Sequence, residues 1–514
     1  MLLRKRFLGV GMLLVVFMLL LAAAVPQAVQ AVGYGDVYSF GLNGQGELGQ
    51  GDTEQRHVPT KIQGLGPVTS VAASNFGYYS LVVLANGDVY SFGMNFYGQL
   101  GQGDRDNRNV PTKIEGLKNA RTADAGGGHS LVLLENGDVY SFGYHRGQLA
   151  QLAQHHDNTL PAKIAGLGPA QAVSAGGEHS LVLLENGDVY AFGQGGHGQL
   201  GDGDTYGSNS PVKIEGLPPV REISAGYTHS LVVTTTGEVY AFGSNGDGEL
   251  GLGHTENLLT PTRITGIGPA LKVAAGGKHS LILLENGDVL SFGDNGMGQL
   301  GHGETTSQWG TVTTPTKIEG LGKVQSVAAG SEHSLVLLEN GDVYGFGRNN
   351  YGSLGWDPAT VRHPAPYYNP VPTKIEGLGE VQVIDAGYNF SLVLEAVERE
   401  ITISIDDQPL HPDVPPIILH GRTMVPLRAI FEALDVDVQW IAETRTIIGT
   451  TDDTRIELTV DSTRTLVNGV EGTLDVPATI IEGRTLVPVR FIAESTGQSV
   501  DWDAGNRRVV ITSK

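Results

Sequence analysis

Cysteine is absent from the 514 residues, and basic side chains are few, with 33 Lys and Arg against 55 Asp and Glu. The lack of cysteine excludes disulfides, thiol catalysis and cysteine-ligated zinc. The formal net charge of −22 argues against a phosphate-backbone partner, so we expect no nucleic acid to bind. Glycine, by contrast, numbers 73 residues and is about twice as frequent as usual. These numbers indicate a folded, turn-rich chain rather than a disordered one.

The N-terminus has the three regions of a secretory signal. A basic stretch at 4–6 is followed by an apolar run at 7–24 and by small residues at 28–31. We therefore predict a signal peptide over residues 1–31. An uncleaved membrane anchor is the less favoured alternative, because the run is about as long as a membrane span needs. The mature chain is then expected to be a bacterial exported protein, secreted or associated with the cell wall, without a membrane span.

Three short motifs each recur seven times at intervals of about 50 residues. They read Gly-Asp-Val-Tyr-Ser-Phe-Gly, Pro-Thr-Lys-Ile and His-Ser-Leu-Val-Leu-Leu, with small variations. Apolar runs flank Asn-Gly, as at Asn136, and predict a β-hairpin, because this pair tolerates the positive φ of a tight primed turn. A unit of this length with several short strands fits one blade of a propeller.

The phase of the repeat predicts how the propeller closes. The first Val-Tyr-Ser-Phe run, at 37–40, has no hairpin partner before it, and the last Ser-Leu-Val-Leu run, at 391–394, has none after it. If these two strands pair, no sheet edge stays exposed. We therefore expect a mainly β fold, with one seven-bladed propeller over residues 32–396 that is closed by its first and last strands.

The repeat resembles the regulator of chromosome condensation repeat, whose signature combines Val-Tyr-x-Phe-Gly, Gly-Gln-Leu-Gly and Gly-x-x-His-Ser. The resemblance implies a seven-bladed propeller but no particular function, because the fold carries different sites in different proteins. The founding member exchanges guanine nucleotide on a small nuclear GTPase, a partner that an exported acidic chain would not meet. A secreted bacterial β-lactamase inhibitor of this fold, which binds an enzyme with one propeller face, is the closer precedent.

Residues 397–514 contain a separate duplication. The segment 421–428 matches 483–490, and each copy continues into a short amphipathic helix and two strand-like runs. This pattern predicts a small α+β domain of two half-repeats. The segment resembles the copper amine oxidase N-terminal-like, or stalk, domain. Copper catalysis is not expected, because the segment holds only His411 and His420 and no tyrosine, whereas a copper site needs more ligands.

No catalytic, cofactor or metal site is predicted in either domain. The five repeated histidines belong to different blades, too far apart to share an ion, so we expect structural roles for them. The aspartates that follow Asn-Gly are typical of hairpin turns. Asp104, Asp106 and Asn109 lack the later residues of a calcium loop. We therefore expect a protein that is not an enzyme and carries no cofactor.

The segments that vary between repeats indicate a candidate binding face. The loops between Phe-Gly and Gly-Gln-Leu-Gly should emerge on one side of the propeller, and the two longest repeats have inserts after them. Aromatic residues are concentrated there, and aromatic clusters are typical anchors of protein interfaces. Closure should place the last insert near Phe76 and Tyr78 of the first blade. The candidate binding residues are Phe96, Tyr97, Tyr144, His145, His197, Trp309, Tyr351, Trp356, Tyr367 and Tyr368.

The function that these observations favour is that of an exported, non-enzymatic binding or scaffold protein. One propeller face would be presented to a protein or to a cell-wall polymer. A first alternative is a protein inhibitor of a secreted enzyme, and a second is a structural protein associated with cell-wall glycan. The sequence leaves the partner and the oligomeric state open.

Overall fold

The computed structural model describes residues 35–513, apart from residues 145, 151–157, 304–310, 359–366, 397–400, 420–421, 482 and 504–507. The predicted signal peptide, His145 and Trp309 lie outside the described residues. Most of the described secondary structure is β-strand, as expected, with two short helices in the C-terminal segment. No helix among the described residues is long and apolar enough to cross a membrane.

The described residues of the repeats form 28 strands. In chain order these are β1 Gly35–Gly41, β2 Arg56–Lys61, β3 Val68–Ala73, β4 Tyr79–Leu84, β5 Val89–Gly93, β6 Arg108–Lys113, β7 Ala120–Ala125, β8 His129–Leu134, β9 Val139–Gly143, β10 Asn158–Lys163, β11 Ala170–Ala175, β12 His179–Leu184, β13 Val189–Gly193, β14 Ser208–Lys213, β15 Val220–Ala225, β16 His229–Thr234, β17 Val239–Gly243, β18 Leu258–Arg263, β19 Ala270–Ala275, β20 His279–Leu284, β21 Val289–Asp294, β22 Thr311–Lys317, β23 Val324–Ala329, β24 His333–Leu338, β25 Val343–Arg348, β26 Tyr368–Lys374, β27 Val381–Ala386 and β28 Phe390–Ala396.

These strands form antiparallel sheets. Five sheets have four strands each, and an eight-stranded sheet pairs β27, β28, β1, β3, β4, β5 and β6 in that order, with β2 on β1. A single pair, Gly35 with Val68, joins β1 to β3. We therefore number the four-stranded units sheet 1 (β3–β6), sheet 2 (β7–β10), sheet 3 (β11–β14), sheet 4 (β15–β18), sheet 5 (β19–β22), sheet 6 (β23–β26) and sheet 7 (β27, β28, β1 and β2).

The first strand of the repeats pairs with the last one, as the phase of the repeat predicts. Strand β1 runs antiparallel to β28, with Val37 opposite Leu394 and Phe40 opposite Ser391. The first strands of successive sheets contact one another, and β27 of sheet 7 contacts β3 of sheet 1. Sheet 7 is thus assembled from both ends of the repeat region.

The Asn-Gly hairpins are present, but their turns differ from the expected type. Strand β8 pairs with β9 across residues 135–138, with the Leu134 N–H donating to the Asp138 carbonyl at 2.9 Å. In this turn Gly137 has a φ of +82°, whereas Asn136 is not among the residues with positive φ. A primed type I′ turn needs positive φ at both central residues, so the turn is instead of the kind in which one glycine forms a bulge. Within this turn the Asn136 Oδ1 accepts a hydrogen bond from the Asp138 N–H at 3.0 Å.

The core lies between neighbouring sheets. The phenylalanine of each Phe-Gly motif is fully buried, as for Phe142. It packs against the last glycine of the preceding Gly-Gln-Leu-Gly loop: a Cβ on Gly101 would lie 2.9 Å from the Phe142 ring. Gly101 also has a φ of +68°, which favours glycine. Two repeat motifs therefore meet in the contact between successive sheets.

The fourth strand of each sheet is an exposed edge. Its proline lacks an N–H and cannot extend the ladder, which blocks pairing with another chain. Its lysine pairs with the aspartate that follows Asn-Gly, as for Lys113 and Asp88 at 2.8 Å. Equivalent ion pairs join Lys163 to Asp138, Lys213 to Asp188, Arg263 to Glu238, Lys317 to Asp288 and Lys374 to Asp342. The aspartates thus have a pairing role besides the turn role predicted for them.

In the part of the C-terminal segment that the structure describes there are two short helices and thirteen strands. Its elements are β29 Thr402–Ile405, β30 Gln408–Leu410, β31 Ile417–Leu419, β32 Arg422–Pro426, α1 Leu427–Ala433, β33 Asp437–Ile441, β34 Thr446–Thr450, β35 Arg455–Thr459, β36 Arg464–Val467, β37 Val470–Thr473, β38 Thr479–Ile481, β39 Arg484–Pro488, α2 Val489–Thr496, β40 Ser499–Asp503 and β41 Arg508–Thr512. The predicted half-repeats pair with each other through β32 and β39. A shared apolar core, which includes Phe431 and Ile492, lies beneath both helices.

Candidate functional site

The five repeated histidines connect neighbouring sheets and are almost completely buried. The Nε2 atom of His129 lies 2.9 Å from the Ser180 Oγ of the next sheet. The same contact, at 2.9–3.0 Å, joins His179 to Ser230, His229 to Ser280, His279 to Ser334 and His333 to Ser391. These are the packing roles that the sequence predicts. Among the described residues, no group of three or more His, Asp or Glu could hold a metal ion.

The hydrogen bonds also fix the protonation of these histidines. Ser180 Oγ donates its proton to the Gln148 carbonyl at 3.1 Å, so it must accept the Nε2–H of His129. Nδ1 is then unprotonated and has no partner among the described residues. Burial lowers the pKa of each of the five histidines to about 3. They are therefore neutral hydrogen-bond donors at any physiological pH.

Two carboxyl groups line a central cavity of about 150 Å³ but act as links between strands. Asp124 accepts the N–H of Ala175 in the next sheet at 2.8 Å and the adjacent Ala125 N–H at 2.9 Å. Asp385 does the same with Ala73 and Ala386. Burial raises the pKa of Asp385 to about 8 and also raises that of Asp124. Because both carboxyls are occupied by backbone donors, this geometry provides no catalytic pair.

Two sets of loops meet at one end of every sheet, which we call the upper face. The first set joins the first and second strands, and the second set joins the third and fourth strands. Backbone bonds connect the two sets: the Met94 N–H donates to the Tyr78 carbonyl at 2.7 Å, and the Tyr144 N–H donates to the Gly128 carbonyl at 2.8 Å. The loops that the sequence singles out for their variation therefore share one surface.

Aromatic side chains cluster on the upper face of sheets 1 and 2. The rings of Tyr97 and Tyr144 are 4.6 Å apart, and the Arg146 guanidinium lies 5.5 Å from the Tyr144 ring centre. Phe96 is 63% exposed beside them, and its carbonyl accepts a bond from Arg105 at 2.8 Å. Exposed aromatic residues stacked with arginine are typical of protein-binding surfaces.

Two further tyrosines, which the sequence analysis missed, form aromatic pairs with residues of sheet 1. Tyr388 of sheet 7 packs edge-on against Tyr78 of sheet 1 at 5.0 Å, and Tyr227 of sheet 4 packs on Phe76 at 5.1 Å. Burial, with the nearby Tyr388, Glu47 and Tyr351, raises the pKa of Tyr78. Tyr227 and Tyr388 occupy a loop position that is glycine in sheets 2, 3 and 5. This replacement was the signal that could have found them.

The remaining candidate residues are scattered. Trp356 is partly buried against the apolar core that sheets 6 and 7 share, so it contributes mainly to packing. Tyr367 is 60% exposed, and Tyr368 is half-buried at the start of β26. His197 is exposed on sheet 3, away from the tyrosine pairs.

Six aromatic residues of the upper face belong to four successive sheets, and two further exposed tyrosines, Tyr206 on sheet 3 and Tyr227 on sheet 4, lie outside this set. We call Tyr78, Phe96, Tyr97, Tyr144, Tyr351 and Tyr388 the aromatic surface; they belong to sheets 6, 7, 1 and 2. At the position of Tyr97, sheets 3, 4 and 5 carry His197, Asp247 and Met297 instead. The same four sheets expose an apolar side chain on the fourth strand: Val371, Val58, Val110 and Leu160. Sheets 6, 7, 1 and 2 therefore carry more exposed apolar side chains on their fourth strands than sheets 3, 4 and 5 do.

Family models match both parts of the chain. The RCC1-like domain matches residues 125–402, and the regulator of chromosome condensation (RCC1) repeat matches residues 34–78 and 86–133. The copper amine oxidase N-terminal domain matches residues 404–511. These are the two resemblances that the sequence motifs predict.

Individual relatives match over shorter stretches. The chain is 45% identical over 71 residues to the RCC2 homolog of Danio rerio, covering 14% of each protein. It is 40% identical over 80 residues to the ultraviolet-B receptor UVR8 of Arabidopsis thaliana, covering 16% of this chain and 18% of the receptor. The matches therefore span only a small part of these relatives.

Solved structures match over most of the chain. Prp20p of Saccharomyces cerevisiae, studied for its binding to Gsp1p and histones, is similar with a TM-score of 0.63 at 25% identity, over 72% of this chain and 93% of Prp20p. Human WBSCR16, at 21% identity, has the same TM-score over 71% of this chain and all of that protein, which shows the fold alone. Together with the match over 125–402, these comparisons establish that the chain belongs to the RCC1-like domain family.

Proposed function

We propose that the repeats form a closed propeller of seven blades, with sheets 1–7 as the blades and residues 397–514 as a separate domain. A circuit of hydrogen bonds between successive sheets supports closure. The Gly127 N–H donates to the Gly176 carbonyl at 3.0 Å, and equivalent backbone bonds join each of the following sheets to the next. The last of them runs from the Tyr388 N–H of sheet 7 to the Ser74 carbonyl of sheet 1 at 2.8 Å. Ser74 Oγ then donates to the Gly126 carbonyl at 2.5 Å, which completes the circuit.

We infer that this propeller is the non-enzymatic binding part of an exported protein, and that the aromatic surface binds a protein partner. The observation that carries this proposal is the cluster on sheets 1 and 2, where the Tyr97 and Tyr144 rings lie 4.6 Å apart beside the exposed Phe96. Aromatic residues and arginine, here Arg146 on Tyr144, contribute most of the binding energy in protein interfaces. The binding of Prp20p to Gsp1p and histones is a precedent for protein partners in this family. Export rests on the signal-like pattern of residues 1–31.

The proposal is tested by affinity capture with matched variants. The double variant Tyr97→Ala, Tyr144→Ala removes the stacked pair, and Tyr206→Ala, on sheet 3, removes a 78% exposed tyrosine elsewhere. We expect a partner from the secreted fraction of the source cells to bind the wild type and Tyr206→Ala but not the double variant. Equal capture by all three proteins would contradict the assignment of the face.

The same capture separates the alternatives. Retention on purified wall material that soluble sugars reverse would favour a wall-associated structural protein. A one-to-one complex with an enzyme that loses its activity would favour an inhibitor. Export is tested by the N-terminal sequence of the protein from the culture medium, which we expect to begin at Val32.

A further inference from the structure

The C-terminal domain has a groove that plays no part in the proposed binding face. A cavity of about 780 Å³ lies between α1, strands β33 and β34, and the β38–β39 hairpin. Its wall includes the indole of Trp440, which is 43% exposed, and the side chain of Ile480, which is 41% exposed. This volume is within the range of sites that hold small ligands.

The charges that line the groove neutralise one another. Arg484 Nε donates to Asp413 Oδ2 at 2.7 Å, and Arg428 Nε lies 3.5 Å from Glu432 Oε1. With two arginines and two carboxylates, the lining has no net charge and no surplus cation for an anionic ligand. An apolar peptide would have to desolvate both ion pairs, which is costly. The arginine and carboxylate groups do offer several donors and acceptors beside a flat aromatic face.

We propose that this groove binds a neutral oligosaccharide. A pyranose ring has an apolar face of C–H groups and a rim of hydroxyls that both donate and accept hydrogen bonds. Stacking of the C–H face on the Trp440 indole would place the hydroxyls against the ion pair of Arg484 and Asp413. This site is independent of the aromatic surface of the propeller, so neither proposal depends on the other.

The duplication within the domain explains why the first half-repeat has the open groove. The equivalent positions of the duplication keep an ion pair, Arg422 of the first half-repeat with Asp475 at 2.8 Å, and a tryptophan, Trp502 of the second half-repeat, which is 42% exposed. The second half-repeat carries Phe491 where the first half-repeat has Ala429, which lines the groove. Phe491 is partly buried against the core. The small side chain of Ala429 therefore leaves room that a phenylalanine would fill.

The experiment titrates the purified protein with chitotetraose, cellotetraose and maltotetraose at up to millimolar concentration, and calorimetry measures Kd. We expect at least one of them to bind the wild type. Trp440→Ala should weaken that binding by about tenfold or more. Ala429→Phe should do the same while keeping a wild-type circular dichroism spectrum, because the fold carries phenylalanine at the equivalent position. Trp502→Ala, the matched control, should bind as the wild type does.

Several outcomes would overturn the proposal. One is that none of the three oligosaccharides binds the wild type. Another is that Trp440→Ala binds as tightly as the wild type, or that Trp502→Ala loses as much affinity as Trp440→Ala. A third is that an acidic oligosaccharide such as tetragalacturonate binds in the groove more tightly than the neutral ones. None of these outcomes changes what is expected of the capture experiment with the Tyr97 and Tyr144 double variant, so the two sites are tested separately.

Discussion

Replacement of one buried histidine tests how the sheets are held together. His179→Phe places at this site the residue that sheet 7 carries as Phe390. Ser230 Oγ keeps its bond to the Gln199 carbonyl at 2.9 Å but loses the Nε2–H that it accepts from His179. A lost hydrogen bond of this kind costs about 1 kcal/mol, partly offset by the burial of an apolar ring. Near pH 7.5 we therefore expect the free energy of unfolding to change by about 1 kcal/mol or less.

At lower pH the same substitution is expected to stabilise the protein. Burial lowers the pKa of His179 to about 3, from an ordinary value of about 6.5 in the unfolded chain. Between these values the unfolded state binds a proton that the folded state excludes, so the wild type loses stability as the pH falls below about 6.5. The loss is about 1.4 kcal/mol per pH unit, or about 2 kcal/mol at pH 5 for one histidine. Phenylalanine does not incur this loss.

The assay is urea unfolding of both proteins at pH 7.5 and pH 5. The groups that face His179 are the neutral His129 and His229 of the adjacent sheets. Glu47 and Asp385, whose raised pKa values favour the folded state on acidification, are unchanged in both proteins and cancel. We expect His179→Phe to be less stable than the wild type at pH 7.5, or equal to it, and more stable at pH 5.

A matched control is Tyr79→Phe, which removes the hydroxyl that donates to the His129 carbonyl but no group that titrates in this range. Tyr79→Phe should change the free energy of unfolding by the same amount at both pH values. If the difference in stability between His179→Phe and the wild type is also the same at pH 7.5 and pH 5, the folded protein does not hold His179 neutral.

Three further substitutions test other parts of the fold. Glu47→Gln removes a carboxyl group whose pKa is raised by burial from 4.5 to about 7. Because the charged carboxylate destabilises the fold as the pH rises from about 4.5 through 7, the free energy of unfolding of the variant should exceed that of the wild type by up to about 3 kcal/mol at pH 8 and by little at pH 5. Urea unfolding at the two pH values measures this difference. Gly226→Ala should lower the free energy of unfolding by about 1–3 kcal/mol, because its Cβ would meet the His229 ring and the Gly276 carbonyl. The control Gly246→Ala, whose Cβ would enter open space, should unfold like the wild type. Asp188→Asn breaks the pair with Lys213 at 2.9 Å, and its small loss of melting temperature should vanish in 1 M NaCl.

Local sequence patterns were sufficient to predict the strand pairing. The unpaired run at 37–40 and the unpaired run at 391–394 identify β1 and β28 as partners, because each repeat shows what its missing half should be. The structural role of the histidines followed from their regular spacing. The prediction of a primed turn at Asn136 was wrong, because Asn-Gly also fits a turn in which the glycine alone has positive φ.

Contacts between sheets that do not follow one another in the chain could not be predicted from one repeat. The loop from Ala73 to Tyr79 is two residues longer than the loop from Ala125 to His129. This extra length lets Phe76 of sheet 1 reach Tyr227 of sheet 4, a contact that depends on how all the sheets are arranged. Trp356 illustrates the converse, since an aromatic residue in a long insert can pack against the core instead of facing a partner.

The polar residues that define the repeat form hydrogen bonds or ion pairs between or within the sheets. The histidine binds the next sheet's serine, the serine donates to a glutamine carbonyl of the Gly-Gln-Leu-Gly motif, and the aspartate pairs with the lysine of the fourth strand. None of these groups can be exchanged for another chemistry without loss of a buried bond or an ion pair. Selectivity for a partner is therefore left to the positions where repeats disagree, such as Tyr227 and Tyr388 in place of glycine. In a family that keeps its repeat motifs, such positions are where new binding functions can arise at little cost in stability.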